Sequence, residues 1–179
     1  MIGERLNKAL NDQIKNELES YYIYLSMAAY FHSNSLDGMG HWMRCQAHEE
    51  MIHAMKFFQH LIDRGGKVVL QDVRQLKTDW SSPLEAFQDA FEHEQFITGK
   101  INELTTIARE EKDYASEPML AWFSDEQIEE EASTGKITDE LEMVGEDKSG
   151  LLMIDRELGQ RSYPTGSPFD PVAAGGEDN

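Results

Sequence analysis

The sequence predicts an all-α protein, a four-helix bundle with a long crossover between helices two and three and a short fifth helix. Apolar residues recur at helical spacing through most of the 179 residues. Four of these stretches are long, and turn signals separate them. A long segment without helical periodicity lies in the middle of the chain, between the second and third of these stretches. These three observations together define the predicted architecture.

The first two helices are expected at residues 5–32 and 38–64. The polar sequence SNSLDG separates them, and its Ser, Asn, Asp and Gly residues favour a turn. Gly65 and Gly66 follow the second helix and end it. Because the link between the two helices is so short, they are predicted to be antiparallel neighbours.

Helices three and four are expected at 83–112 and 117–145. Each begins with a serine cap and a proline in the first turn, at Ser82-Pro83 and at Ser116-Glu117-Pro118. The link between them is again short, so this pair is also predicted to be antiparallel. A shorter helix is expected at 147–160.

The segment between helices two and three, KVVLQDVRQLKTDW at 67–80, has no clear helical phase apart from a brief extended-looking VVL. A helix of about 27 residues is roughly 40 Å long. An extended linker of about 15 residues reaches about as far, at ~3.3 Å per residue. The segment can therefore cross the length of the bundle, so that helices two and three lie parallel.

The composition of the chain limits the kinds of partner that it is expected to bind. The formal net charge of −18 disfavours binding to nucleic acid or to anionic membrane surfaces and favours cations, although a solvated acidic surface is the common alternative explanation. No apolar run approaches the ~18 residues of a membrane span, and the first residues lack the features of a signal peptide. The protein is expected to be soluble and cytoplasmic. The single cysteine, Cys45, excludes a cysteine-based metal site within one chain.

Each long helix carries one glutamate at the centre of its apolar stripe. The four are Glu17, Glu50, Glu94 and Glu130. A single acid in such a stripe is usually a side chain that reaches solvent. These four, however, lie at comparable distances from the connecting turns, so they meet at one level of the bundle. No Lys or Arg in the stripes lies near that level, and unpaired carboxylates in a core are strongly destabilising.

Two divalent cations would supply the four positive charges that four carboxylates need. His53 lies one turn after Glu50, and Gln127 lies one turn before Glu130, so both project toward the same level. An oxygen-rich ligand set with one imidazole suits iron or manganese better than copper, and it has no thiolate to favour zinc. The pattern is typical of di-iron carboxylate bundles.

The chain resembles the bacterial non-haem ferritins, which belong to the ferritin-like di-iron carboxylate family. The resemblance runs through residues 1 to about 160, and its strongest stretches are KNELESYYIY, AHEEMIH, EHEQFITGKINEL and WFSDEQIEEE. It implies a dinuclear ferroxidase centre built from the residues already singled out by spacing. The matching residues are Glu17, Glu50, His53, Glu94, Gln127 and Glu130.

The resemblance also implies a role for each residue. Glu17, Glu50 and His53 would bind the first iron, with Glu50 as a bridge. Glu94 and Glu130 would bind the second iron, and Gln127 would lie beside them.

Two further features of the family have counterparts here. Tyr24 matches a tyrosine next to the centre that is proposed to supply an electron or to steer intermediates. A third iron site nearby would use Glu49, Glu126 and Glu129. On helical phase these three lie close to the same centre, but a plain solvated acidic strip remains the alternative interpretation.

The same resemblance implies that the protein is an iron-storage ferroxidase. It would oxidise Fe²⁺ with O₂ or H₂O₂ and store ferric mineral inside a hollow shell of twenty-four subunits, with the fifth helix near the four-fold axis. Haem is not expected. Met51 stands where bacterioferritins place their axial methionine, but those relatives carry a second E-x-x-H on helix four, where this chain has QIEE at 127–130.

Two alternatives remain open at this point: a di-iron redox enzyme without storage, such as a rubrerythrin-like peroxidase, and a helical scaffold without metal. The expected domain spans residues 1–161. Residues 162–179 form a Pro/Gly-rich C-terminal extension with the sequence SYPTGSPFDPVAAGGEDN. This extension is expected to form no helix.

Overall fold

The computed structural model describes residues 2–74 and 77–165, and within them the chain forms five helices and no strand. The helices are α1 (Glu4–Ser33), α2 (Asp37–Asp63), α3 (Pro83–Glu110), α4 (Glu117–Val144) and α5 (Lys148–Leu158). Each begins and ends within about two residues of its predicted position, and the predicted all-α architecture is confirmed.

The helix ends follow from local chemistry. The Ser82 hydroxyl accepts a hydrogen bond from the backbone N–H of Glu85 at the start of α3, and the Asp147 carboxylate caps α5 in the same way. Gly65, just beyond α2, has a φ of 67°, a left-handed conformation that glycine adopts without steric cost.

Aromatic and ionic contacts fix the directions of the helices. Arg5 near the start of α1 pairs with Glu110 at the end of α3, while Phe31 near the end of α1 packs on Phe87 near the start of α3. These two helices are therefore antiparallel. Trp42, near the start of α2, also contacts Phe87, so α2 and α3 begin at the same end of the bundle and run parallel, as predicted.

The crossover between α2 and α3 runs along α1 from one end to the other. Hydrogen bonds, an ion pair and a ring contact join the crossover to α1. Residues later in the crossover contact residues later in α1. The pairs are Asn11 with Val69, Glu19 with Arg74, Ser26 with Lys77, and Tyr30 with Trp80. This long connection lets two parallel helices lie in one bundle.

The bundle has two separate apolar cores with a polar layer between them. One core contains Phe31, Met43 and Phe87, and the other contains Leu10 and Phe57 together with residues of α3 and α4. On all four long helices, the central glutamate lies in sequence between the residues of one core and those of the other. The acids are therefore enclosed by apolar layers on both sides.

Helix α5 lies directly on the first turn of α2. A carboxylate oxygen of Asp155 accepts a hydrogen bond of 2.9 Å from the backbone N–H of Met39. A Cβ added at Gly38 would lie 1.7 Å from the backbone oxygen of Asp155, so this close contact requires a glycine. Ile154 and Leu158 complete the contact from the buried side of α5.

Residues 161–165 follow α5 without forming a helix. The rest of the predicted extension, 166–179, lies outside the described residues, so the domain boundary at residue 161 stays a prediction. Within the described part of the chain, the helices include none that combines the length and apolar character needed to cross a bilayer.

Candidate metal centre

Four glutamates from four different helices are almost inaccessible to solvent in the middle of the bundle. Their relative exposures are 0% for Glu17, 2% for Glu50, 1% for Glu94 and 6% for Glu130. The sequence predicted that all four would meet at one level, and the contacts described below show that they do.

The side chains form two overlapping groups that could hold metal ions. In the first, Glu17, Glu50 and His53 each offer one ligand atom, and these atoms lie within 4.8 Å of one another. The second group joins His53 to Glu126 and Glu130 within the same distance. His53 belongs to both groups, and its Nδ1 lies 3.5 Å from a carboxylate oxygen of Glu50.

Glu94 is held by two side chains on neighbouring helices. The Tyr24 hydroxyl donates a hydrogen bond to one of its carboxylate oxygens, and the Gln127 amide donates to the other at 3.2 Å. Glu94 lies in neither of the two groups, but its charge acts on Glu130. The structure thus brings Tyr24 and Gln127 into direct contact with the predicted centre.

Two buried amides, which the sequence reasoning missed, orient the acids. Gln13 donates a hydrogen bond of 2.8 Å to Glu17. Gln46 donates one of 3.1 Å to Glu50 and another of 2.7 Å to Glu130, which joins α2 to α4 across the centre. In both α1 and α2 the glutamine precedes the buried glutamate by four residues. That repeated spacing was a visible signal.

His93 was also assigned no part in the site. It lies next to Glu94 in sequence, is within hydrogen-bonding distance of the Ser20 hydroxyl at 2.7 Å, and packs edge-on against the Tyr24 ring. His93 therefore helps to fix the position of the Tyr24 ring.

The acids do not have enough partners of their own. The Glu17 Oε2 atom is buried and has no hydrogen-bond partner within the described residues. Across the same part of the chain, none of the four acids forms an ion pair with a lysine or arginine. An unsatisfied buried carboxylate is costly, and this donor set fits a cation bound between the helices.

Burial controls the protonation of the centre. Desolvation, with repulsion from Glu50, raises the pKa of Glu17 to about 8. The same two causes raise the pKa of Glu94 to about 8, although its hydrogen bonds from Tyr24 and Gln127 oppose the shift. Burial and the charges of Glu94 and Glu50 raise the pKa of Glu130 well above its ordinary value. In the absence of metal, protons therefore neutralise most of these acids.

Glu50 and His53 form the charged pair in this neutralised cluster. Burial opposes charge on His53, but the hydrogen bond and the charge of Glu50 raise its pKa to about 10. Burial likewise opposes charge on Glu50, and the contact with His53 lowers its pKa despite this. Metal ions must displace protons from the cluster in order to bind, because the ligating forms are the carboxylates and the neutral imidazole.

The three residues expected at a third site are placed differently from one another. Glu126 joins His53 and Glu130 in the second group. Glu49 lies in neither group and pairs with Arg161. Burial raises the pKa of Glu49, and the charge of Arg161 opposes that shift. The side chain of Glu129 is exposed and belongs to neither group.

Carboxylates on four inner helix faces, with an E-x-x-H step on one of them, define a class of protein: the four-helix bundles with a carboxylate-lined metal centre. Comparison with known proteins specifies the family. The family model of the ferritin-like domain matches residues 7–144, more than half of the chain. This chain belongs to the ferritin family.

Individual relatives agree with the family assignment. The chain is 40% identical over 161 residues to a bacterial non-heme ferritin of Bacteroides fragilis, a match that covers 90% of this chain and all of that protein. It is 38% identical over 163 residues to a bacterial non-heme ferritin of Staphylococcus aureus, covering 91% of this chain and 98% of the relative.

Solved structures are similar along the same length. A ferritin from the hyperthermophilic archaeon Archaeoglobus fulgidus, described as an open-pore ferritin, superposes with a TM-score of 0.89 at 47% identity and covers 90% of this chain and 99% of its own. A humanized archaeal ferritin gives a TM-score of 0.90 at 46% identity, covering 92% and 99% of the two chains.

Proposed function

We propose that this protein is an iron-storage ferritin. It binds Fe²⁺, oxidises it with O₂ or H₂O₂ at a dinuclear ferroxidase centre, and stores the ferric product as mineral inside an oligomeric shell. The observation that carries the proposal is the layer of four buried glutamates and His53 between two apolar cores. Membership of the ferritin family, and the names of the relatives, support iron as the metal.

In this proposal Glu17, Glu50 and His53 bind the first iron, and Glu94 and Glu130 bind the second. The proximity of the first three ligand atoms supports the first set. The second set is supported by the charge of Glu94, which acts on Glu130. Gln46 donates to both Glu50 and Glu130 and so holds the two sides of the centre together. Glu50 is the bridge because its charge acts on Glu17, Glu94 and Glu130 alike.

The reaction is a two-electron transfer. Each of two Fe²⁺ ions gives up one electron, and one molecule of O₂ or H₂O₂ takes both together with two protons. The chain contributes the fixed positions of the two ions and a site closed by apolar side chains. Tyr24 lies at the centre through its hydrogen bond to Glu94, where it is placed to hold that carboxylate or to pass an electron.

The proposal extends to assembly. A shell of twenty-four subunits is supported by the family assignment and by the similarity of the whole chain to solved ferritins. The large negative charge would draw Fe²⁺ toward such a shell. A cytoplasmic location, the absence of haem and a third iron site at Glu49, Glu126 and Glu129 stay predictions.

Iron loading tests the proposal. Metal-free protein is given Fe²⁺ in air in increasing amounts, the ferric absorbance is followed, and the iron that stays with the protein is counted per subunit. Storage predicts uptake far above about three irons per subunit, more than the ligands of the centre can hold. Uptake that stops at about two points to a redox enzyme without storage, and no uptake points to a scaffold; either result contradicts the proposal.

A further inference from the structure

The residues that follow α5 return along α2 and cover the region next to the metal centre. We call residues 161–163 the strap. The backbone oxygen of Arg161 is 2.7 Å from the Nε2 of His41 and 3.8 Å from the sulfur of Cys45. The ring of Tyr163 stacks on His48 and meets His41 edge-on. Both ends of the strap are therefore anchored on the same face of α2.

The Arg161 side chain points inward from the strap. Its Nη2 atom lies 2.5 Å from a carboxylate oxygen of Glu49, and its Cζ atom lies 4.4 Å from the centroid of the Trp42 ring. The Nη1 atom is buried and has no hydrogen-bond partner within the described residues. The side chains of Arg161 and Glu49 are 22% and 28% exposed, so water screens this pair only in part.

Glu49 is electrostatically part of the metal centre. It precedes Glu50 in sequence, and its charge acts on Glu130. It also interacts with Glu126, which belongs with His53 and Glu130 to the second group of ligand atoms. A cation on this side of the centre would have Glu49 as a natural additional ligand.

The Arg161 guanidinium binds the Glu49 carboxylate at the place where such a cation would bind. A charge-assisted hydrogen bond to an arginine satisfies a carboxylate oxygen much as a bound cation does. A divalent ion on the same carboxylate would bring two positive groups within a few ångströms of each other, where repulsion is strong in a partly buried site. The arginine and the ion are therefore alternatives.

We propose that Arg161 is a built-in counter-ion that competes with metal for Glu49, so that a third ion binds beside Glu126 and Glu130 only when the strap leaves α2. This inference rests on the proposed function, because the third ion adjoins the dinuclear centre. It assigns to the C-terminal segment control over the occupancy of that position.

Titration calorimetry with Mn²⁺ in the absence of oxygen tests the competition in the intact protein. Mn²⁺ prefers oxygen ligands. In Arg161→Gln the first two binding steps should match those of the wild type, and the third should tighten about tenfold, which corresponds to about 1.4 kcal/mol. Arg156→Gln is the matched control, since it removes the same charge from an exposed position on α5. It should leave all three steps unchanged.

The outcomes are separable. A third step that is the same in Arg161→Gln and in the wild type overturns the proposal, and so does an equal gain in Arg156→Gln, because the effect would then be one of net charge. Failure of the first two steps in every variant, including the wild type, would instead contradict the metal centre itself.

Cys45 provides a second measurement that needs no variant. It is the only cysteine and is fully buried beneath the backbone of Arg161. If a third ion displaces the strap, alkylation of Cys45 by iodoacetamide should accelerate at least about tenfold once Mn²⁺ exceeds two ions per subunit. An alkylation rate that does not respond to the third equivalent of Mn²⁺ would overturn the proposal.

Discussion

His53 and Glu50 carry opposite charges one helical turn apart in the metal-free protein, while protons neutralise Glu17 and Glu94 at neutral pH. This arrangement lets four acids remain buried together without metal, at the cost of holding protons that a metal ion must displace. The chemistry of single residues thus links metal binding to pH.

We expect Mn²⁺ binding to release protons at pH 7. The pKa values of Glu17 and Glu94 are raised to about 8, so both are mostly protonated at pH 7 and must lose those protons to become ligands. His53, with a pKa raised to about 10, must lose a proton as well, so affinity should weaken steadily as the pH falls through this range. Calorimetry in buffers of different ionisation enthalpy measures the number of protons released, and a heat independent of the buffer would contradict this expectation.

Replacing a central ligand should slow iron oxidation and leave assembly intact. We expect His53→Ala and Glu130→Ala each to slow the fast phase of ferric absorbance by at least about tenfold, because each removes a ligand. Glu142→Ala is the matched control, since that acid is exposed on the same helix and belongs to no predicted metal site. Stopped-flow kinetics measures the oxidation rate of each variant, and the particle size of each variant shows whether it still assembles. Unchanged rates in both ligand variants would remove the assignment of the centre.

At the same scale, the sequence predicted the four acids because each breaks a regular apolar stripe, and it predicted His53 because that residue lies one turn after Glu50. It did not reveal that Gln46 joins Glu50 to Glu130, because helical spacing can indicate the contact with Glu50 on the same helix but not the contact with Glu130 on another helix. Nor could it reveal the contact between Arg161 and Glu49, which joins residues far apart in sequence and depends on where the chain turns after α5.

The helices were predicted more completely than their contacts. Turn residues and caps act locally, so the sequence located every helix end to within about two residues. The side-chain faces were less certain: Tyr21, Met119 and Val144 lie at helical spacing with the buried residues of their helices but are only partly buried. Those positions lie at the edges of the apolar stripes, where burial depends on the neighbouring helix and not on periodicity.

Helix α5 offers a test at the level of the elements. We expect Gly38→Ala to loosen α5 from α2, because the added methyl group would meet the backbone oxygen of Asp155, which cannot rotate away. Hydrogen–deuterium exchange should then be faster in residues 148–158. Gly99→Ala is the control, because a Cβ at that helical position meets nothing within 4 Å; it should stabilise α3 by about 0.5–1 kcal/mol. Equal protection of α5 in both variants would contradict the described contact.

For the molecule as a whole, the parallel arrangement of α2 and α3 followed from a length argument, because the linker could span the bundle. The overall acidity gave only a preference for cations. The charge that matters for stability is that of the few acids enclosed between the two apolar cores. Ionisation of these acids destabilises the folded protein.

The metal-free protein should lose stability as the pH rises from about 4.5 to about 8. Glu17 and Glu94 have pKa values of about 8 in the folded protein against a reference value of 4.5, so within that window the folded state binds more protons than the unfolded state. The stabilisation from these two acids is complete below about pH 4.5 and is lost as the pH rises through about 8. His53, also raised, acts in the same direction.

Thermal unfolding across this range measures the effect. Glu17→Gln, which cannot ionise, should show a shallower decrease in the unfolding midpoint than the wild type, while the exposed-site control Glu129→Gln should match the wild type. A decrease as steep in Glu17→Gln as in the wild type would mean that the buried acid does not hold its proton. Bound Mn²⁺ should raise the midpoint at pH 8 by mass action.

Anomalous X-ray diffraction from crystals soaked in Fe²⁺ without oxygen would show whether the buried layer binds iron. We expect two strong iron peaks in each subunit within that layer, one among Glu17, Glu50 and His53 and the other beside Glu94 and Glu130. If no iron peak lay within the layer and these side chains turned toward solvent instead, the proposed metal centre would be wrong.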